Sequence, residues 1–218
     1  MKLGLQGITV VGSAGNSGPL ADELCRNGSG SRFVASHPGK YECPLISHPS
    51  TPINQPTNQL TNLLSFLSHQ NSCPYITSIG ATMLAQSTNG SSIGSSTIET
   101  VAHAERWASS GGFSWTFPTP DYQKDAVAAY FADHDPGRSE SYNRSGRGFP
   151  DVTALGKNLA VAVLGELGVA DGTSAATPLW GAMINRINEE RLAAGKGVVG
   201  FLNPVLYANP GIFRDGKS

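Results

Sequence analysis

The sequence predicts an α/β fold. Short apolar runs at residues 8–11 and 158–164 are typical of strands. A longer run after residue 173 has the three- and four-residue spacing of an amphipathic helix. Strands that alternate with such helices along a chain are typical of α/β folds.

At the amino end, residues 1–6 are predicted to form the last turn of a helix that Gly7 ends. Residues 8–11 follow as a buried strand. The glycine-rich residues 12–18 then form a sharp loop at its carboxyl end, where ligand sites gather in open α/β sheets. An ordinary turn is the alternative for this loop. Further on, residues 120–132 are predicted to form a short helix whose aromatic side chains belong to the core.

Residues 158–164 are predicted to form a short buried strand, and a helix is expected to run to about Arg191. Pro178 is expected in its first turn, where a missing N–H has no cost. The apolar positions expected on its buried face are Ala176, Trp180, Met183, Ile184 and Ile187. Ser174 then lies at a strand-to-helix junction, beside free N–H groups and the positive end of the helix dipole. A serine nucleophile gains most at such a place, although a serine there could also serve only as a helix cap.

The composition excludes several classes of protein. With 218 residues, 39% of them hydrophobic, the chain can bury one sizeable core. Its formal net charge of −1 does not favour a nucleic-acid partner, and no apolar run approaches the roughly 18 residues of a membrane span. The low charged fraction of 14% and acceptor sequons at Asn27, Asn89 and Asn143 favour a secreted protein. Residues 1–6 lack the apolar core of a signal peptide, so we expect that the true beginning is missing.

Residues 171–178, Asp-Gly-Thr-Ser-Ala-Ala-Thr-Pro, resemble the nucleophile segment shared by subtilisins and sedolisins. Further segments resemble sedolisins, the serine-carboxyl peptidases, in the order in which that family has them. They are residues 2–11, 73–82, 109–114, 147–154, 201–207 and 213–215. The resemblance implies a subtilisin-like, mostly parallel sheet that is incomplete at both ends. Residues 1–218 would then be the C-terminal part of one sedolisin-like peptidase domain.

By this resemblance, Ser174 is the nucleophile and Asn16 occupies the oxyanion position. Sedolisins have an aspartate there, within Ser-Gly-Asp-Ser-Gly, whereas this chain reads Ala-Gly-Asn-Ser-Gly. An amide donates a hydrogen bond at any pH, but an aspartate donates only while it is protonated. The glutamate and aspartate bases of the family lie upstream of the strand near Ile8, so we expect them to precede Met1 and this chain to be inactive by itself.

The resemblance also implies a substrate-binding strand and a calcium site. The strand residues that would pair with extended substrate are Ser110, Gly111, Gly112 and Phe113. Asp215 matches a calcium ligand of the intact family domain, but Gly216 stands where the family has isoleucine. Because calcium takes six to eight oxygen ligands, we expect this chain to bind calcium weakly or not at all.

Residues 39–70 are unlike the rest of the chain, since they are rich in Pro, Ser, Asn, Gln and His. A tolerated surface loop is one explanation, and a translated intron is the one we favour. Residues 39–42, Gly-Lys-Tyr-Glu, can be encoded with a GTAAGT splice donor, residues 59–62 with a CTAAC branch sequence, and Gln70 with a CAG acceptor. Without this segment Cys43 is lost, and Cys25 and Cys73 remain as a disulfide pair.

The function that the sequence favours is a serine-type peptidase that acts on peptides or proteins, as a monomer, in an extracellular or vacuolar-lysosomal setting. Two alternatives stay open. One is a non-catalytic peptide-binding relative that keeps the groove without the bases. The other is a fragment of a subtilisin-type Ser/His/Asp protease.

Overall fold

The computed structural model describes residues 2–16, 18, 72–86, 97–104, 107–135 and 143–213, and the segment 39–70 lies outside them. The helices are α1 (Lys2–Leu5), α2 (Lys124–His134), α3 (Thr173–Ala193) and α4 (Asn203–Ala208), with 3₁₀ turns at Asp121–Gln123 and Pro210–Ile212. The strands are β1 (Val11–Ser13), β2 (Thr77–Gln86), β3 (Thr97–Val101), β4 (His103–Ala104), β5 (Trp107–Ala108), β6 (Gly112–Pro118), β7 (Gly146–Phe149), β8 (Val152–Leu155), β9 (Leu159–Val163) and β10 (Glu166–Ala170).

Strand β2 is the centre of the main sheet. It pairs in parallel with β1 and with β8, and its carboxyl half pairs antiparallel with β3. The predicted α/β class is therefore confirmed, and the central sheet is mostly parallel. The other described strands form antiparallel pairs, β4 with β5, β6 with β7 and β9 with β10.

Helix α3 supplies much of the core by packing on this sheet. Ala176, Trp180 and Ile184, four residues apart, are 0%, 8% and 6% exposed. The Trp180 indole N–H also donates to Thr153 O at 2.8 Å, so the ring is fixed to β8 by a hydrogen bond as well as by packing. The other buried members of this cluster are Ile79, Ala81, Ala102, Val152, Leu202 and Leu206.

Two expectations for α3 are wrong. Met183 and Ile187 are 48% and 46% exposed, because the contact with the sheet follows the residues spaced by four and leaves these positions outside it. Pro178 is not in the first turn but in the second, since the helix begins at Thr173. Its missing N–H therefore removes the donor that would otherwise bond the carbonyl of Ser174.

The predicted strand at residues 158–164 is present as β9, but it is not buried. It forms a hairpin with β10 through Leu164 and Gly165, both at positive φ (53° and 86°). Leu164 is 102% exposed. The apolar run thus belongs to a hairpin outside the described core, and the expectation of a core strand is wrong.

Two smaller expectations also need correction, and a third is not tested. The strand expected at residues 8–11 begins only at Val11, and Ile8 is half exposed. In α2, Tyr130 is 44% exposed, because this helix lies on the surface and buries none of its residues. The expected disulfide between Cys73 and Cys25 stays a prediction, because it was made for a chain without residues 39–70 and because Cys25 lies outside the described residues.

A buried ion pair connects β7 to the start of β8. The Arg147 guanidinium lies 2.5 Å from Asp151 Oδ2, and both side chains are fully buried. The same carboxylate accepts hydrogen bonds from the Ser78 N–H at 2.7 Å and from the Tyr207 hydroxyl at 2.9 Å. Burial raises the pKa of Asp151, and the charge of Arg147 opposes that rise. The pair therefore depends on both partners being present.

We predict that Asp151→Asn lowers the free energy of unfolding by about 3–5 kcal/mol, because it leaves a buried guanidinium without a counter-charge. Urea unfolding followed by circular dichroism measures the loss. The control is Asp121→Asn, which removes the exposed pair with Lys124 and should cause no measurable change. Equal losses in the two variants would contradict the prediction.

A second ion pair closes the base of the β9–β10 hairpin. Asp171 accepts a hydrogen bond from the Lys157 ammonium and another, at 2.7 Å, from the Asn158 N–H. The Lys157 nitrogen also lies 5.6 Å from the centre of the Trp107 ring. The hydrogen bond from Lys157, followed by that from Asn158, lowers the pKa of Asp171 below its ordinary value of 3.8.

Because the folded chain favours the charged form of Asp171, this pair stabilises the fold above the ordinary pKa and loses its effect as the pH falls through the lowered value. We predict that a ¹³C titration of the Asp171 carboxyl has its midpoint below 3.8, and that Lys157→Gln raises it. Lys124→Gln, at the exposed pair with Asp121, should leave it unchanged. A midpoint that is the same with and without Lys157 would show that the ammonium has no such role.

None of the described helices is both long enough and apolar enough to cross a membrane.

Candidate functional site

The loop that follows β1 runs beside the segment at the end of β5. The Gly18 N–H donates to Ala108 O at 3.0 Å, and the Ala108 N–H donates to Asn16 O at 3.2 Å. The Ser110 N–H donates to Gly15 O at 2.9 Å. These three bonds hold the loop with the predicted oxyanion residue against the first residue of the predicted substrate strand.

The same loop also caps α3. The Thr173 N–H donates to Asn16 Oδ1 at 2.8 Å, and the Thr173 hydroxyl donates to the same oxygen at 3.1 Å. The Gly15 N–H in turn donates to Thr173 Oγ1 at 3.1 Å. Gly172, the residue before the helix, has no side chain with which to cap it. Asn16, from 157 positions away, satisfies one of the N–H groups that every helix leaves free at its start.

Ser174 is the second residue of α3, and it is exposed. Among the described residues, neither its backbone N–H nor the Nδ2 group of Asn16 has a hydrogen-bond acceptor. The helix dipole adds positive potential at this end. The described part of the chain therefore combines an exposed hydroxyl with two N–H donors that are free to bind an oxygen from outside.

The predicted substrate residues lie where β6 meets β7. Gly112 is opposite Phe149 and Phe113 is opposite Gly148 in an antiparallel register. A Cβ on Gly111 would lie 3.2 Å from Phe149 O, so only a residue without a side chain fits there comfortably. Among the described strands β7 is the only partner of β6.

Two of the predicted substrate residues already make contacts within the chain, Phe113 through its ring and Ser110 through its backbone N–H. The Phe113 ring stacks on Phe131 of α2, with 4.8 Å between ring centres. Ser110 is only 2% exposed, and its N–H already bonds to Gly15. Any pairing of this strand with a peptide therefore relies on backbone groups of residues 111–113, and these substrate roles stay predictions.

Two carboxylates near these segments are engaged in ion pairs. Asp171 is paired with Lys157, and Asp151 is paired with Arg147. The described residues contain no group of three or more His, Cys, Asp or Glu side chains that could hold a metal ion. Asp215, the predicted calcium ligand, lies outside the described residues.

Sequence reasoning assigned no role to Thr173, which carries three of the hydrogen bonds that join the loop to the helix. It is fully buried, and its hydroxyl both accepts and donates. The signal that could have pointed to it is a threonine at the first helical position after a glycine that cannot cap. The partner could not have been found in this way, because it lies 157 positions away.

We predict that Gly172→Ala destabilises the chain more than Gly195→Ala does. Both glycines have positive φ, 111° and 70°. Gly172, with ψ 171°, lies in a region of backbone conformation that is almost restricted to glycine, whereas the left-handed helical region near the φ of Gly195 costs an alanine about 1–2 kcal/mol. At Gly172 the new Cβ would also lie 2.9 Å from Asn16 Nδ2, whereas at Gly195 nothing lies within 4 Å. Denaturant unfolding of both variants measures the difference. Equal costs would mean that the Asn16 amide yields to the extra methyl group without loss.

Several known proteins match this chain over most of its length. Aorsin from Aspergillus oryzae is 41% identical over 228 residues, an alignment that covers 99% of this chain and 31% of aorsin. Tripeptidyl-peptidase sed1 from Aspergillus fumigatus is 36% identical over 233 residues and has the same coverage of both chains. Physarolisin from Physarum polycephalum is 38% identical over 162 residues, which covers 65% of this chain and 28% of physarolisin.

Among solved structures, Pseudomonas sedolisin, a serine-carboxyl proteinase complexed with two molecules of pseudo-iodotyrostatin, is 22% identical with a TM-score of 0.47. That match covers 68% of this chain and 38% of the other. No family model matches the sequence. The chain spans 31% of the length of the two Aspergillus relatives, and they match it over 99% of its own length. The chain belongs to the sedolisin family.

Proposed function

We propose that this chain carries the nucleophile and the oxyanion-binding groups of a serine peptidase. The observation that supports this most directly is the exposed Ser174 at the start of α3, beside Asn16 and its unengaged Nδ2 group. The aorsin and tripeptidyl-peptidase relatives favour the same activity, with a peptide or protein as substrate.

The chemistry begins with attack of Ser174 Oγ on the carbonyl carbon of a peptide bond. The hydroxyl proton passes to a base, and the carbonyl oxygen becomes an oxyanion. The backbone N–H of Ser174 and the Nδ2 of Asn16 donate to that oxyanion. When the C–N bond breaks, the leaving amine takes up a proton and an acyl-enzyme remains on Ser174, which water then hydrolyses.

The base for this reaction is proposed to come from outside the 218 residues. Asp151 is fully buried and Asp171 is held by Lys157, so neither is free to accept the Ser174 proton. The Aspergillus relatives are about three times as long as the matched segment. We therefore place the glutamate and aspartate bases in a preceding part of a longer protein, and we expect the 218-residue chain alone to be inactive.

Asn16 gives the proposed enzyme an oxyanion donor that does not titrate. An aspartate at this position would have to be protonated before it could donate, so its contribution would be confined to acidic solution. With the amide, loss of activity at higher pH would have to come from another group. The donor itself therefore sets no upper pH limit on the reaction.

The substrate strand and the calcium site complete the proposal. Residues 111–113 would pair with an extended peptide along the edge of β6 that faces away from β7. Calcium would be held by the intact family domain, with Asp215 as one of its oxygen ligands, and the 218-residue chain would bind it weakly if at all. The setting proposed for the whole protein is extracellular or vacuolar-lysosomal.

The test compares the 218-residue chain with the longest native polypeptide that contains it, each with and without Ser174→Ala. We expect the longer protein to hydrolyse peptides, with a loss of about 10³-fold or more in kcat in the Ser174→Ala variant. The 218-residue chain should show no hydrolysis that depends on Ser174. Assays of tripeptide release and of internal cleavage would separate exopeptidase from endopeptidase action.

Two outcomes would count against the proposal. Hydrolysis by the 218-residue chain at the rate of the longer protein would show that the base lies within this chain. Peptide binding without hydrolysis by the longer protein would replace the peptidase by a peptide-binding relative.

A further inference from the structure

The orientation of the Asn16 amide is decided by its neighbour Thr173. Asn16 Oδ1 accepts two hydrogen bonds from that one residue, from the N–H at 2.8 Å and from the hydroxyl at 3.1 Å. The N–H of Gly15 donates to Thr173 Oγ1 at 3.1 Å, so the hydroxyl is the acceptor in that bond and its hydrogen is left to donate to Asn16. Thr173 is fully buried, so water does not compete for these groups.

An amide side chain has an acceptor end and a donor end, and only the acceptor end fits this arrangement. If the Asn16 amide were turned over, its NH₂ group would face the Thr173 N–H, and a buried N–H would be left without an acceptor. The oxygen is therefore held on the side of Thr173. Nδ2, the atom proposed to bind the oxyanion, is turned away from it.

The position of Nδ2 is restricted on one further side. It lies so close to Gly172 that a Cβ built on that glycine would be 2.9 Å from it. The amide thus lies over the bare Cα of the residue that precedes α3. In Gly172 a hydrogen atom stands where other residues have Cβ, which leaves room for the amide.

We propose that Thr173 is the positioning residue of the oxyanion site. It acts through Asn16, by fixing which end of the amide faces the substrate, and it touches no reacting atom itself. This inference rests on the proposed function for its effect on rate, but the orientation of the amide can be tested without any activity. A threonine is suited to the role because its hydroxyl accepts from Gly15 and donates to Asn16 at the same time.

Two substitutions separate the hydrogen bonds from the packing. Thr173→Val keeps the shape of the side chain and removes the hydroxyl. Thr173→Ser keeps the hydroxyl and removes the buried methyl group. A merely structural role would be damaged by either change. The valine variant keeps the backbone N–H bond to Asn16 Oδ1 and loses the hydroxyl bond, so the amide is held by one hydrogen bond instead of two, whereas the serine variant keeps both.

The first measurement uses the 218-residue chain labelled with ¹⁵N and ¹³C. The scalar coupling across the hydrogen bond between the backbone ¹⁵N of residue 173 and the Asn16 ¹³Cγ reports whether Oδ1 accepts from that N–H. We expect it in the wild type and in Thr173→Ser, and we expect it to weaken or vanish in Thr173→Val. Its persistence at full strength in the valine variant would overturn the inference.

The second measurement uses the longer native polypeptide. We expect Thr173→Val to lower kcat by about tenfold or more with little change in KM, since loss of a whole oxyanion donor costs about 10²–10³-fold. Thr173→Ser should stay within about threefold of the wild type. An unchanged kcat in the valine variant, in a wild type that is active through Ser174, would refute the positioning role.

The two measurements distinguish this inference from the proposed function. If the longer polypeptide shows no hydrolysis that depends on Ser174, the proposed function fails. The comparison of the coupling across the hydrogen bond then still decides whether Thr173 orients the Asn16 amide.

Discussion

The contact between Asn16 and Thr173 joins two parts of the chain that are 157 positions apart. A helix that begins after a glycine has no side chain of its own to satisfy its first N–H groups, and in this fold a distant loop supplies the acceptor. This one contact therefore fixes both the start of α3 and the shape of the loop after β1. The exposed position of Ser174 and the segment at residues 108–110 are set by that same junction.

At the other end of the parallel strands, the fold is held by polar groups that are buried. Arg147 and Asp151 are fully enclosed, and the carboxylate also bonds to the start of β2 and to α4. Nearby, the Gln123 amide bonds to Gly148 O at 2.7 Å and to the Tyr207 hydroxyl at 2.6 Å. Burial of such groups costs free energy of desolvation, and the cost is larger when a group has no partner. The network therefore favours the one arrangement of β2, β7 and α4 in which its members are paired. Since β7 pairs with β6, this network also fixes the strand proposed to meet the substrate.

The sequence predicted the class of the fold and the helix after Ser174 because both depend on local periodicity. Ala176, Trp180 and Ile184 follow that periodicity and are buried. It failed for Met183 and Ile187, since the width of the buried face depends on how far the sheet extends beneath the helix. The strand at residues 158–164 was predicted correctly, but the prediction that it is buried was wrong. An apolar run does not reveal whether its partner is a core strand or the other arm of a hairpin. For the candidate site, the sequence could indicate Ser174 and Asn16 as residue types in suitable segments. It could not indicate Thr173, whose role depends on a loop far away in the chain, because such contacts are decided by tertiary packing.

The long separation of Asn16 from Thr173 also has a consequence for the timing of assembly. Chains are made from the amino end, and distant contacts must wait until both partners have left the ribosome. The loop after β1 is therefore complete long before the first turn of α3 exists. During most of its synthesis the polypeptide has neither Ser174 nor Thr173, so the Asn16 amide has no partner to orient it before that helix has emerged.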